Sequence, residues 1–327
     1  MEPVLHNFST ILIYVMIIFG NLSNGFIVLS NFLDCFIKRK LSLIDKILLT
    51  LAVSRITLIW EIYAWFKIVY APSSFVIGIE LKLLNFSWIL SSHFSLWLAT
   101  ALSIFYLLRI PNCSWQIFLC LKWRIKQLIV GMLLGSLVFL LGNLMQRTLE
   151  NRFCQYGGNT SMNSMEIDLT MCAEVMFFNM TVFSVIPFSL ALISFLLLIF
   201  SLWKHLQNMQ LSSRGHRDPS TKAHRNALKI MVSFLLLYTM NFLSLLISWI
   251  AQKHHSELVD IIGMITELMC PSAHSFILIL GNSKLKQTSL WILRHFRCKL
   301  KGKNITTTYG NQINCCAFCV ANKSMGW

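Results

Sequence analysis

Charge is scarce in this chain. Only 13% of its 327 residues are Asp, Glu, Lys or Arg, about half the share a soluble domain carries, while 56% are apolar. Too few charged groups remain to coat a water-exposed surface, and stretches such as Leu128 to Leu144 and Val185 to Leu202 hold none at all. Acidic residues are scarcer still, 13 against 28 basic ones, which leaves a formal charge of +15. In a soluble chain that excess would point to nucleic acid. Here it sits in short segments between apolar runs, so no nucleic-acid partner is expected.

Other absences narrow the chemistry. No GxSxG, HExxH, P-loop or strand-to-helix GxGxxG occurs, so the chain offers no catalytic constellation and reads as a non-enzyme. His205, His216 and His224, with His295 on the tail, are spaced 11 and 8 residues apart in the loop and lack the paired spacing of a metal site; no metal or cofactor is expected. The 10 cysteines follow no disulfide-framework pattern, and Cys154 and Cys172 alone fall in an expected extracellular loop, where pairing stays open. Met1 to Thr10 contain no Lys or Arg, so a basic signal-peptide n-region is missing and the first apolar span is expected to act as an uncleaved signal.

What is present is a run of apolar spans near Ser9–Asn31, Asp45–Phe66, Lys82–Leu107, Ile125–Met145, Met180–Trp203, Asn226–Ile250 and Leu258–Leu280, each long enough to cross a hydrocarbon core. The expected fold is all-α, a seven-transmembrane helix bundle. Assigning alternate loops to two sides places 20 of the 28 basic residues on one of them, which the positive-inside rule makes cytoplasmic, with the N-terminus outside and the C-terminus in the cytoplasm. Residues 1–282 form the expected seven-transmembrane domain. The basic remainder, 283–327, reads either as a short amphipathic helix on the inner leaflet or as a solvated tail, and Cys315, Cys316 and Cys319 lie near its end.

Ionisable groups in the spans are costly, by about 2.5 to 3.5 kcal/mol on insertion scales, and so draw attention. Arg55 lies too deep in span two to snorkel and should meet acceptors on neighbouring helices: Asn24 of span one and His274 or Ser275 of span seven. A fixed clasp and a moving switch both fit that arrangement. Glu61 and Glu267 lie in the outer halves of spans two and seven, with Trp60, Trp65 and Trp88 at similar depth, the make-up of an apolar small-molecule site with a few polar anchors. Pairing of either glutamate with a donor such as Lys67, and an interfacial role for the tryptophans, are the plainer alternatives. Pro187 and Pro271 each remove a helix hydrogen bond and favour kinks. No internal repeat accompanies these charges, which argues against a transporter.

Long motifs then become specific: LTLAVSRITLIW (Leu49–Trp60), HFSLWLATALSIFYLLRI (His93–Ile110), LKWRIK (Leu121–Lys126), SFLLLIFSLWKHLQNMQ (Ser194–Gln210), DPSTKAHRNALKIMVSFLLLY (Asp218–Tyr238) and PSAHSFILILGNSKLKQ (Pro271–Gln287). Together they resemble the type 2 (bitter) taste receptors across all seven spans. FYLLR at Phe105–Arg109 and HSFIL at His274–Leu278 stand where rhodopsin-like receptors carry other signatures.

The resemblance implies a G-protein-coupled chemoreceptor of the plasma membrane, activated by bitter small molecules and coupled to a gustducin-type heterotrimeric G protein. Trp88, Ile89 and Ser92 match the agonist-binding part of span three, although many relatives have Asn at Ser92. Asn241 stands where relatives often have Tyr, Met264 where some have Glu, and Glu267 one turn on could take that acidic role. With Trp65 these are the expected ligand contacts. Asn24, Arg55 and Ser275 match the family's inter-helix polar cluster, with His274 beside them. Tyr106, Arg109, Lys204, His205 and His224 match the G-protein-facing ends, and Asn159 matches the glycosylation site of the second extracellular loop.

Overall fold

A computed structural model of the chain describes residues 3–38, 41–70, 78–108, 123–157, 181–204, 207, 219–254 and 257–305. Within these residues the protein is all helical, without a strand. The helices are α1 (Pro3–Lys38), α2 (Leu43–Tyr70), α3 (Gly78–Leu108), α4 (Ile125–Gly157), α5 (Thr181–Lys204), α6 (Pro219–His254), α7 (Glu257–Gly281) and α8 (Ser283–Ile305). The first seven are long and apolar enough to cross a membrane. Helix is what lipid demands of a spanning chain, because each backbone N–H and C=O must be satisfied within the segment.

Local sequence sets several helix ends. Ser42 and Asp45 open α2 with a capping box: the Ser42 hydroxyl donates to Asp45 Oδ2 at 2.6 Å and the Asp45 amide donates back to Ser42 Oγ at 3.3 Å. Asn282 caps α8 by accepting the Lys284 amide at 3.0 Å. Backbone contacts divide the chain after Leu278. Taken by itself, α8 carries Lys284, Lys286 and Arg294 beside exposed Leu290, Trp291 and Leu293.

The core runs along α2, α3 and α7, whose apolar windows are 56%, 67% and 56% buried against 22% for α4 and α6. On α2 the buried positions Leu48, Leu51, Ala52, Arg55, Leu58, Ile59 and Ile62 recur at three- and four-residue spacing, one stripe of a helix. Gly20 of α1 lies where that stripe and α7 converge: a Cβ there would press on Ser272 and come within 2.7 Å of Ile59 Cδ1. Small residues at such crossings let helix backbones approach without a hydrophobic driving force. Gly25, by contrast, faces open space.

Polar groups close this three-helix junction. Arg55 is fully buried, and its Nη1 donates to Ser275 Oγ at 3.1 Å. The Ser275 hydroxyl points to Asn24 Oδ1 at 2.6 Å and to the Pro271 carbonyl at 3.0 Å. Asn24 Nδ2 then donates to the Pro271 carbonyl at 2.9 Å and to the Gly20 carbonyl at 2.8 Å. His274 stands beside this chain, its ring 4.5 Å from that of Phe234 on α6, and its Nδ1 has no partner among the described residues.

Two outcomes follow for the detergent-solubilised protein. Gly20→Val should cost about 1 to 3 kcal/mol by overpacking and lower the melting temperature, while Gly25→Val leaves it unchanged; equal effects at both sites would contradict the close crossing. Ser275→Ala removes the acceptor of a buried guanidinium and should cost about 1.5 to 3 kcal/mol in the same assay.

Candidate functional site

A cavity of about 40 Å³ opens among α2, α3, α4, α5, α6 and α7. Ser92, His93, Asn143, Asn241, Ser244 and Glu267 are among the residues lining it, and Leu58 joins it to the core beneath. It has room for a few water molecules and is well below the 300 to 1,000 Å³ typical of small-molecule sites. A drug-sized occupant therefore requires its walls to move apart.

One turn of α3, Ser87 to Ser91, supplies donors next to this site. Trp88 Nε1–H donates to Glu267 Oε1 at 2.9 Å, while the hydroxyls of Ser87 and Ser91 both donate to the Glu61 carboxylate on α2. The two glutamates are thus held by neighbouring side chains of one turn of α3. Lys67 serves neither: its Nζ lies 5.8 Å above the Tyr14 ring and 5.7 Å from that of Tyr63, a cation over aromatic faces.

The expected ligand contacts fall into two groups. Ser92, Asn241 and Glu267 line the cavity, whereas Trp88, Ile89 and Met264 belong to the apolar cluster next to it, with Trp88 and Ile89 buried. Trp65 is half-buried on α2 and is not part of the cavity wall. Trp60 is 54% exposed on the outside of the bundle, although Trp88 at comparable depth is 3% exposed. Asn24, Arg55 and Ser275 meet through hydrogen bonds, and His274 does not join them.

At the other end, Tyr106 is half-buried against Phe105 and Lys204 is exposed. Arg109, His205, Asn159 and Cys172 lie outside the described residues, as do Cys315, Cys316 and Cys319; His224 and Cys154 lie in helices, their side chains undescribed. Among the described residues no three His, Cys, Asp or Glu side chains come together as a metal site.

Sequence reasoning overlooked His93. It lines the cavity, and its Nε2 lies 3.3 Å from Ser136 Oγ of α4. The rule that singled out Arg55, an ionisable group within a span, would have found it. A second feature is visible only in three dimensions. Thr100 of α3 directs its hydroxyl to the Leu96 carbonyl at 2.9 Å and the Pro187 carbonyl of α5 at 3.1 Å, which leaves Tyr238 of α6 to donate to it at 3.0 Å. Tyr238 in turn stacks on Phe188, with ring centroids 5.7 Å apart.

Comparison with known proteins places this geometry in a family. Residues 1–297 match the family model described as Taste receptor protein (TAS2R). The chain is 80% identical to taste receptor type 2 member 102 of Mus musculus over 326 residues, covering 99% of each protein. It is 67% identical to taste receptor type 2 member 124 of Mus musculus, over 94% of this chain and 100% of that one. Member 13 of the same species is 51% identical over 90% of this chain and 99% of its own length. With seven membrane-crossing helices and a family match over almost its whole length, the chain belongs to the taste receptor type 2 family, a family of multi-pass membrane receptors and not of enzymes.

Proposed function

We propose that the chain is a plasma-membrane receptor for bitter small molecules, with its N-terminus outside, and that agonists bind at the cavity between α3, α5, α6 and α7. The observation that carries this reading is the convergence of Ser92, Asn241 and Glu267 on one cavity in a chain of this family. Trp88 supports the site by holding Glu267 through its indole N–H, and Ile89 and Met264 supply apolar wall behind it. Trp65 would contact only agonists that extend toward the outer end of α2.

The mechanism is a population shift. An agonist larger than about 40 Å³ favours a conformation with a wider cavity, and coupling to the inner face requires that it bind that conformation better than the resting one. Moving from one to ninety-nine per cent active would take about 5.5 kcal/mol of differential binding, so a weak, broadly selective agonist shifts the population less than that. Asn24, Arg55 and Ser275, with His274 alongside, are the polar switch in this reading. Tyr106, Arg109, Lys204, His205 and His224 face a gustducin-type heterotrimeric G protein at the opened cytoplasmic end. The basic tail, 283–327, is the segment that anionic inner-leaflet lipid would attract in this reading.

Calcium mobilisation in cells co-expressing the chain with a promiscuous G protein α subunit tests the site. Trp88→Ala should raise the EC50 of a bitter agonist by about tenfold or more at equal surface expression, because it removes both an aromatic wall and the donor to Glu267; an unchanged EC50 would move the site elsewhere. Orientation is checked separately. Asn159→Gln should abolish an endoglycosidase-sensitive band shift, and a wild-type chain lacking that shift would place the loop, and with it the N-terminus, on the other side.

A further inference from the structure

We infer that α8 is a docking helix for a calcium-loaded, acidic EF-hand sensor, a partner that closes around the helix from two sides. The inference is independent of the agonist cavity. In a cell it rests only on the orientation proposed above, which puts the tail in the cytoplasm.

Charge defines the partner first. From Ser283 to Ile305 the helix SKLKQTSLWILRHFRCKLKGKNI carries seven Lys and Arg and no Asp or Glu. Such a run repels itself and attracts an acidic surface, either an anionic leaflet or a protein.

The apolar residues separate those two partners. Leu285, Ile292 and Phe296 are seven and four residues apart, the spacing of one helical stripe. Leu290 and Trp291 fall about 140° and 120° from Leu285 in opposite directions, which puts both on the far side of the helix. Leu285 is 1% exposed, whereas Leu290 and Trp291 are 42% and 62% exposed, with exposed Arg294 between them in projection. A helix lying on a bilayer buries one face and wets the other. Here a flat leaflet that took up the Leu285 stripe would hold Leu290 and Trp291 in water, and the reverse docking would do the same to the stripe. An enclosing groove covers both sets at once.

EF-hand sensors form such grooves. Calcium opens their helix pairs, which exposes a methionine-rich surface rimmed by carboxylates, and two lobes in one chain can close on a basic helix from opposite sides. The apolar positions of α8 run from Leu285 to Ile305, about 30 Å of helix and long enough for a lobe near each end. The helix is also formed in advance. Asn282 Oδ1 accepts the Lys284 amide at 3.0 Å, and the Thr288 and Ser289 hydroxyls donate to the Lys284 and Lys286 carbonyls at 3.1 and 2.8 Å. Little ordering entropy therefore opposes docking. Trp291, the largest apolar side chain on the exposed side, is the expected anchor.

The test uses the full-length chain in phosphatidylcholine nanodiscs, whose two faces are both open to solvent, with dansyl-labelled calmodulin as the probe. Dansyl fluorescence is titrated in calcium and in EGTA for wild type, Trp291→Ala and Trp123→Ala. Trp123 precedes α4 and is 88% exposed, so it controls for the loss of a surface tryptophan elsewhere. Both replaced side chains are exposed, so neither change opens a cavity in the core. Wild type should bind with a Kd below about 1 μM in calcium and at least about 100-fold more weakly in EGTA. Trp291→Ala should weaken the calcium-dependent binding by about tenfold or more, and Trp123→Ala by less than about twofold. No binding in calcium, equal binding in calcium and EGTA, or equal binding by wild type and Trp291→Ala would each overturn the inference and leave α8 to anionic lipid. The readout needs neither agonist nor G protein, so its failure leaves the receptor reading intact, and failure of that reading leaves calmodulin binding unchanged.

Discussion

A guanidinium enclosed by a membrane bundle has to find acceptors among its neighbours, and much of this structure is arranged around that requirement at Arg55. Lipid cannot hydrogen-bond it, and depth in α2 prevents it from reaching the headgroups. Ser275 provides an acceptor only because its own proton is directed elsewhere, to Asn24 and to the Pro271 carbonyl. Asn24 can take part only because Gly20 lets α1 settle against Ile59 and Ser272. One charge thereby sets the register of three helices, and the proline that would otherwise weaken α7 supplies a carbonyl used by two side chains. Polar contacts of this kind specify one packing among many apolar ones that lipid would tolerate equally well.

The central helix α3 plays the complementary part on the other side of the bundle. Its turn at Ser87 to Ser91 gives donors to Glu61 and Glu267, His93 lies toward Ser136 of α4, and Thr100 two turns on links the prolyl carbonyl of α5 to Tyr238 of α6. Asn241 lies three residues beyond Tyr238, on the same face of α6, so cavity wall and aromatic stack move as neighbours. The stack continues from Phe188 to Phe242, 4.2 Å apart, and from Phe195 to Phe234, whose ring meets His274. Ring contacts thus run from side chains beside the cavity to His274, which borders the Arg55 junction. Packed interiors respond to displacement by switching between arrangements more readily than by stretching.

A small cavity and an acceptor-rich wall belong to the same physical situation. The hydroxyls of Ser136 and Ser244 direct their protons to backbone carbonyls, as they do in helices surrounded by apolar matter. Ser136 and Ser244 thus face their neighbours with lone pairs, while Ser92, Ser95, Asn241 and Glu267 are among the other polar side chains at the cavity. A guest larger than the cavity has to offset the work of separating these walls.

The seven crossings and the importance of Arg55 could be read in the sequence, because both follow from length and the cost of charge in hydrocarbon, which do not depend on how helices are rotated. The family was legible for a different reason: its motifs are long and ordered along the chain. Rotation was not legible, since helices that are apolar on every side give no periodic signal of which face is inside. Trp60 and Trp88 are the same residue type at comparable depth, yet packing left one against lipid and buried the other. Lys67, a candidate partner for the glutamates by proximity, turned to Tyr14 and Tyr63, and serines of α3 took its place at Glu61. His93 found its partner in a hydroxyl on another helix, Ser136. Span, charge and lineage were determined residue by residue along the chain, whereas faces, partners and protons were decided only when helices met, because hydrogen bonds between them depend on distances that no linear spacing encodes.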